Sequence, residues 1–291
     1  MTPMVDLLTI GISLGCIYAL VAIGFTLIYA TTGVVNFAQG AFVMVGGIAA
    51  SVATMDWGWP LIPSLLAGVA VAIVTGLVLA AAVVIPLWKR GATEFVTVLG
   101  TLMFLVLSEN VALNLVGSGP RSLPELSPDL AFAVGNRTIP SQTLWVVGAA
   151  VLLAGLLTFF LKRTRVGMAM RAASIDQTTS RLLGISPYRI ALVAFALSAL
   201  IGGIAGVLIT PLQFTAYNIA SAYSVKGFLA AIVGGLGDVK GAVVGGILVG
   251  VFEAVVSIYI SSYYLNVFVM GALVLILLVR PRGLFGVPSV A

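Results

Sequence analysis

LLTIGISLGCIYALVAIGFTLIYATTGVVNFAQGAFVMVGGIAASVATM, residues 7–55, runs for 49 positions without an Asp, Glu, Lys or Arg. One helix crosses the hydrocarbon core of a bilayer in about 20 residues, so this stretch is long enough for two crossings, at 7–30 and 33–54. The first run exceeds the core of a signal peptide and leads directly into the second. No cation precedes it, the first in the chain being Lys89. It is therefore expected to stay in the protein as a membrane helix rather than be cleaved. Cys16, the single cysteine, lies inside it and reads as a small hydrophobe.

The rest of the 291 residues extends the pattern. Only 8% are charged and 61% are hydrophobic, whereas a soluble domain carries about 25% charged residues. Lipid is the expected solvent. Further apolar runs fall at 61–87, 95–116, 142–161, 190–210, 222–237, 241–262 and 263–279. The expected fold is all-α: one transmembrane domain over 1–291, a polytopic helix bundle of eight to nine spans. The run 222–237 is short, reaching about 24 Å as a helix, so it reads as a broken or re-entrant element.

Cation placement orients the array. The loop 162–189 holds Lys162, Arg163, Arg165, Arg171, Arg181 and Arg189 against Asp176, a net of +5 that equals the charge of the whole chain. Short loops rich in Lys and Arg stay cytoplasmic. Lys89–Arg90 and Arg280–Arg282 follow the same rule. The loop 117–141 balances Arg121 and Arg137 against Glu125 and Asp129 and is expected outside, with the tight turn at 56–60 and its Trp57 and Trp59 anchors. Nine crossings put every basic cluster inside; eight would strand the C-terminus outside.

Several chemistries are excluded. With no histidine and one cysteine, the chain lacks the usual general base and the ligands of cysteine-rich zinc or iron–sulfur sites, so no metal site and no catalytic residue is expected. Gly234-Gly235-Leu236-Gly237-Asp238-Val239-Lys240-Gly241 looks like a phosphate loop, but Lys240 is followed by Gly241 rather than by Ser or Thr. It reads instead as a sharp turn between membrane elements. Glycines spaced four apart, Gly11 and Gly15, Gly202 and Gly206, Gly241 and Gly245, Gly246 and Gly250, predict close helix crossings.

Polar groups within the apolar runs are candidates for a translocation path: Asn36, Gln39, Glu109, Asn110 and Glu253. An ionisable group at membrane depth is costly and usually faces a bundle interior or a watery cavity. The structural alternative is that Glu109 reaches the outer interface and that Asn36 and Gln39 satisfy freed backbone groups. So few groups argue against a proton or sodium relay.

The basic loop is longer than a connector requires. Met170, Ala173, Leu182 and Leu183 could form one apolar stripe, with Arg171 and Arg181 on other faces and Gly184 and Pro187 ending the helix. Such an amphipathic helix under the membrane is a docking surface; the alternative is a solvated basic loop.

Gly167-Met168-Ala169-Met170-Arg171-Ala172, followed by Arg181-Leu182-Leu183-Gly184-Ile185, resembles the coupling loop of branched-chain amino acid ABC transporter permeases. The stretch from Gly15-Cys16-Ile17-Tyr18-Ala19-Leu20 through Asn36-Phe37-Ala38-Gln39-Gly40 is similar to the N-terminal signature of that family. Gly234 to Gly246 resembles its late glycine motif, and Arg280-Pro281-Arg282-Gly283-Leu284-Phe285-Gly286 its C-terminal ending. The likeness spans nearly the whole chain and is greatest to the first of two paralogous permeases.

The resemblance implies a type II ABC importer-like fold in a bacterial inner membrane, and a heterodimer with a second permease. It further implies two ATPase subunits that hold ATP and Mg, no cofactor on this chain, and a substrate-binding protein outside, received by the loops 117–141 and 211–221. Gly167, Arg171, Ala172, Arg181, Leu183 and Gly184 would then form the coupling helix seated on an ATPase. A self-sufficient secondary transporter or channel, or an importer of urea, amides or aromatic acids, is the competing reading. A membrane-embedded enzyme would need a nucleophile–base pair that the composition does not supply.

Overall fold

The computed structural model describes residues 2–127, 132–134, 137–175, 180, 182–260, 262–280 and 283–285, with the backbone alone for 2–6, 132–134 and 137–139. Its helices are α1 (Thr2–Thr32), α2 (Gln39–Met55), α3 (Leu61–Leu79), α4 (Ile85–Lys89), α5 (Glu94–Val116), α6 (Ser141–Arg163), α7 (Arg165–Ile175), α8 (Pro187–Ile209), α9 (Ile219–Gly234), α10 (Val239–Tyr259) and α11 (Leu265–Val279). Between α3 and α4 a π-helical turn, Ala80–Val84, keeps the helix continuous. It absorbs the register change required by Pro86, which has no N–H to offer the preceding turn. A two-stranded hairpin, β1 (Phe132–Val134) and β2 (Arg137–Ile139), lies in the loop before α6 and departs from the purely helical expectation.

Six helices, counting α3–α4 as one, are long and apolar enough to cross a membrane; α2, α9 and α11 are shorter apolar helices. Burial sorts them. α1 is buried on all sides over most of its length, with Ile17, Leu20, Ile23 and Phe25 fully enclosed. It has no polar face because it stands at the centre, packed by α6, α8, α9 and α10. α3, α5, α6 and α11 each bury one side and expose Leu, Val, Met or Phe on the other, the surface expected against lipid.

Lipid is as apolar as leucine, so helix association in this setting depends on close packing. The glycine pairs supply it. Gly11 and Gly15 of α1 face Gly246 and Gly250 of α10, and a methyl group at Gly250 would collide with the Gly15 backbone. One at Gly15 would stand 2.8 Å from the Ile247 Cα. Gly202 and Gly206 of α8 meet α2 in the same way, and Gly241 and Gly245 of α10 meet α9.

Contacts between helix ends and loops define two faces of the bundle. At one, Arg121 pairs with Asp56 at 2.9 Å and exchanges backbone hydrogen bonds with Thr215. Trp57 and Trp59 stand exposed there with ring centroids 5.6 Å apart. At the other, Lys89 lies 5.5 Å over the Tyr188 ring. There the Gly234–Lys240 segment makes the tight turn expected of it, with the Asp238 carboxylate accepting from the Lys240 N–H. Gly283, at φ +69°, turns the chain so that the Leu284 and Phe285 N–H groups donate to the carbonyls of Val233 and Gly234. The C-terminal motif thereby satisfies carbonyls that the end of α9 leaves without intrahelical partners.

Candidate functional site

Two helices begin inside the bundle rather than at a face. Gln39, the first residue of α2, lies directly against Gly24 of α1. Gly24 precedes the end of α1 by eight residues, about 12 Å along the axis, so residues 33–38 climb back into the bundle before α2 starts. α9 begins at the same level, with its Ala220 carbonyl against Gly40. From there α2 runs to the Trp57 face and α9 to the opposite one. Half-length helices whose N-termini meet at mid-depth are the arrangement around which transport proteins build their sites.

Polar side chains hold this junction. The Asn36 Oδ1 accepts from the Ala38 N–H at 3.1 Å, capping the approach to α2, while its buried Nδ2 has no partner among the described residues. The Ser198 hydroxyl of α8 donates to the Gln39 Oε1 at 2.6 Å, and the Gln39 Nε2 donates back to the Ser198 carbonyl at 3.3 Å. The Ser224 hydroxyl of α9 accepts from the Gly40 N–H at 2.9 Å and donates to the Phe37 carbonyl at 2.6 Å. Backbone groups freed by the breaks are thus paired, as irregular chain at membrane depth requires.

Glu109 reaches across from α5 to the start of α9. Its Oε1 accepts from the Ser221 N–H at 2.9 Å and from the Ser221 hydroxyl at 2.8 Å. A carboxylate at a helix N-terminus complements the helix dipole. Glu109 lies seven residues from the Val116 end of α5, about 10 Å along the helix axis. Asn110, its neighbour, donates to the Val106 carbonyl of its own helix on an exposed side, so these adjacent candidates do not share a site.

Glu253 has partners that sequence reasoning missed. Its Oε1 accepts from the Lys226 ammonium at 2.6 Å and its Oε2 from the Tyr18 hydroxyl at 2.6 Å. The same ammonium donates to the Tyr18 oxygen at 3.2 Å. This trio ties α1, α9 and α10 together. Lys226 stands within the run 222–237, and a cation in so apolar a stretch was the available signal that Glu253 has a counter-ion.

The basic-loop candidates lie toward the Lys89 face. Thr164 ends α6 by donating to the Phe160 carbonyl at 2.8 Å and caps α7 by accepting from the Gly167 N–H at 3.0 Å. Gly167 is buried against the end of α6, and Met170 and Ala173 turn into the bundle. Arg171 is exposed and lines a cavity of about 310 Å³ with Lys162 and Lys240. Ala172 is half-buried and Gly184 turns at φ +81°; Arg181 lies outside the described residues. The expected four-residue apolar stripe is not continuous. Leu182 and Leu183 are 85% and 74% exposed, and Ile175 is 86% exposed. Met170 and Ala173, by contrast, are only 0% and 5% exposed.

These features define a multi-pass helical membrane protein with a polar junction inside an apolar bundle. The chain belongs to the family described as "Branched-chain amino acid transport system / permease component", which matches residues 7–278. It is 32% identical over 300 residues to the high-affinity branched-chain amino acid transport system permease protein LivH of Escherichia coli K12, covering 96% of this chain and 94% of that one. It is 31% identical over 296 residues to BraD of Pseudomonas aeruginosa, a permease protein of the same description, with 96% and 95% covered. The ribose import permease protein RbsC of Escherichia coli K12 is 23% identical over 257 residues, covering 84% and 76%. The resemblance drawn from the four motifs therefore holds over nearly the full length.

Proposed function

We propose that this chain is the permease subunit of an ATP-driven importer in a bacterial cytoplasmic membrane, forming half of the path for branched-chain or related amino acids. The observation that carries the reading is the exposed face of α9. Ser221 and Ala222 are exposed and Lys226 is partly so, at a depth where every other described helix exposes chiefly Leu, Val, Ile, Phe or Met. A polar face at that depth requires water or a protein partner rather than lipid. A second, paralogous permease facing α9 would enclose it as a central path.

Nine crossings fit this reading. α2 and α9 complete theirs with the re-entering segments before them, and α11 spans about 22 Å. All basic clusters then fall on one side, as the positive-inside rule asks. Two ATP-binding subunits carrying ATP and Mg would dock on the cytoplasmic loop, which exposes Ile175, Leu182 and Leu183 as well as Arg171. Closure of the ATPases would move α7, and through it the ends of α1 and α6, switching the path between outward and inward openings. Selection would fall largely to an external substrate-binding protein received by residues 117–141 and 211–218, since 219–221 already belong to α9.

The test is co-expression and co-purification of the complex, followed by substrate-dependent ATP hydrolysis in proteoliposomes. Solute flux through this chain alone, without any ATPase, refutes the proposal and favours a self-sufficient transporter or channel.

A further inference from the structure

Lys226 carries a donor that the bundle leaves unused. An ammonium has three N–H groups. One goes to the Glu253 Oε1 at 2.6 Å and one to the Tyr18 oxygen at 3.2 Å; among the described residues nothing takes the third. Glu253 is closed by comparison. Both its oxygens are occupied, and its side chain is 6% exposed against 15% for that of Lys226. The pair is neutral as a whole but polarised, with the anion turned inward and the cation toward the exposed face of α9. Ala222 and Val225, one turn and one residue earlier, give that face an apolar margin beside the charge.

Stability does not account for such a pair. Packed apolar side chains of similar size often do as well as a buried ion pair, or better. We propose that Lys226 receives the carboxylate of the transported solute on this face, with Glu253 and Tyr18 as positioning residues that fix the ammonium. This rests on the permease reading above. The solute class is a small carboxylate with an apolar body. Neutralisation by Glu253 keeps the attraction weak, which suits a path in which a ligand must leave as readily as it enters. The hydrogen bond formed would be charge-assisted from both sides.

The test uses the assembled transporter in proteoliposomes. Lys226→Met/Glu253→Met removes both charges together, so neither is left buried alone. L-leucine uptake is expected to fall at least tenfold in that variant and to remain above a third of wild type in Lys226→Arg. Separately, 15Nζ-lysine labelling of this chain gives signals from Lys89, Lys162, Lys226 and Lys240 only, and the Lys226 signal is the one lost in Lys226→Arg. That signal is expected to shift with L-leucine and not with L-leucinamide. Uptake in the double variant within twofold of wild type, or equal shifts from leucine and leucinamide, overturns the site. Should the double variant fail to assemble, the resonance shift alone decides. A wild-type complex that takes up no solute with ATP instead sinks the permease reading, and the site with it.

Discussion

Replacing Gly250 by alanine places a methyl group where α10 meets α1. The added carbon would collide with the Gly15 backbone and stand 2.6 Å from the Gly11 carbonyl oxygen, so the helices must separate or shift. Overpacking of this kind costs about 1–3 kcal/mol. Alanine also stabilises a helix interior relative to glycine by about 1 kcal/mol, so the net loss is about 0–2 kcal/mol. Gly155→Ala in α6 isolates the second effect, because nothing lies within 4 Å of its would-be methyl. The difference between the two variants is then the packing cost alone. At about 2–4 °C per kcal/mol, Gly250→Ala should melt several degrees below Gly155→Ala, read by fluorescence-detected size-exclusion after heating the detergent-purified chain. Equal melting, or a higher value for Gly250→Ala, would mean that α1 and α10 do not approach through their glycines.

Three further outcomes probe the junction, the start of α9 and the basic loop. Gln39→Leu strips the Ser198 hydroxyl of its buried acceptor and should destabilise by about 1–3 kcal/mol; the same thermal assay measures it, and Ser198→Ala in that background should restore part of the loss. Glu109→Gln keeps an acceptor for Ser221 but removes the charge at the start of α9, costing about 0.3–1 kcal/mol and diminishing as salt is raised. At the basic loop, Leu183→Asp and Arg171→Glu should leave the chain in the membrane while abolishing recovery of the proposed ATPase subunits by affinity pull-down. Wild-type recovery with both variants counts against the docking surface.

Much of the fold was readable from composition, because the solvent imposes a local rule. Each lipid-embedded segment must satisfy its own backbone and present apolar side chains, so most of the runs in the sequence match helices to within a few residues, the exception being the run from Gly33, where α2 starts only at Gln39. The glycine turn before α10 and the helix stop at Gly184 were local too. The hairpin β1–β2 was missed, since three-residue strands leave almost no periodic signal. The stripe proposed through Leu182 and Leu183 is not one buried face, since Met170 and Ala173 are buried while both leucines are exposed, and helical spacing relates only residues of one helix.

The candidate site divided along the same line. Asn36, Gln39, Glu109 and Glu253 stood out singly as polar residues in apolar surroundings, which is a property of each residue and its neighbours. Their partners did not. Ser198 is 159 positions from Gln39, Ser221 is 112 from Glu109, and Tyr18 is 235 from Glu253.

By itself, then, the sequence determined that lipid surrounds this chain, where its apolar helices run and which loops carry the positive charge. It also showed that Gly11, Gly15, Gly246 and Gly250 would each sit at a close crossing. Only the tertiary structure decided that these four meet one another, that α2 and α9 start from a shared level inside the bundle, and that Lys226 closes on Glu253. Helix pairing in lipid follows from shape and hydrogen bonding between segments, and neither is written in the composition of one segment alone.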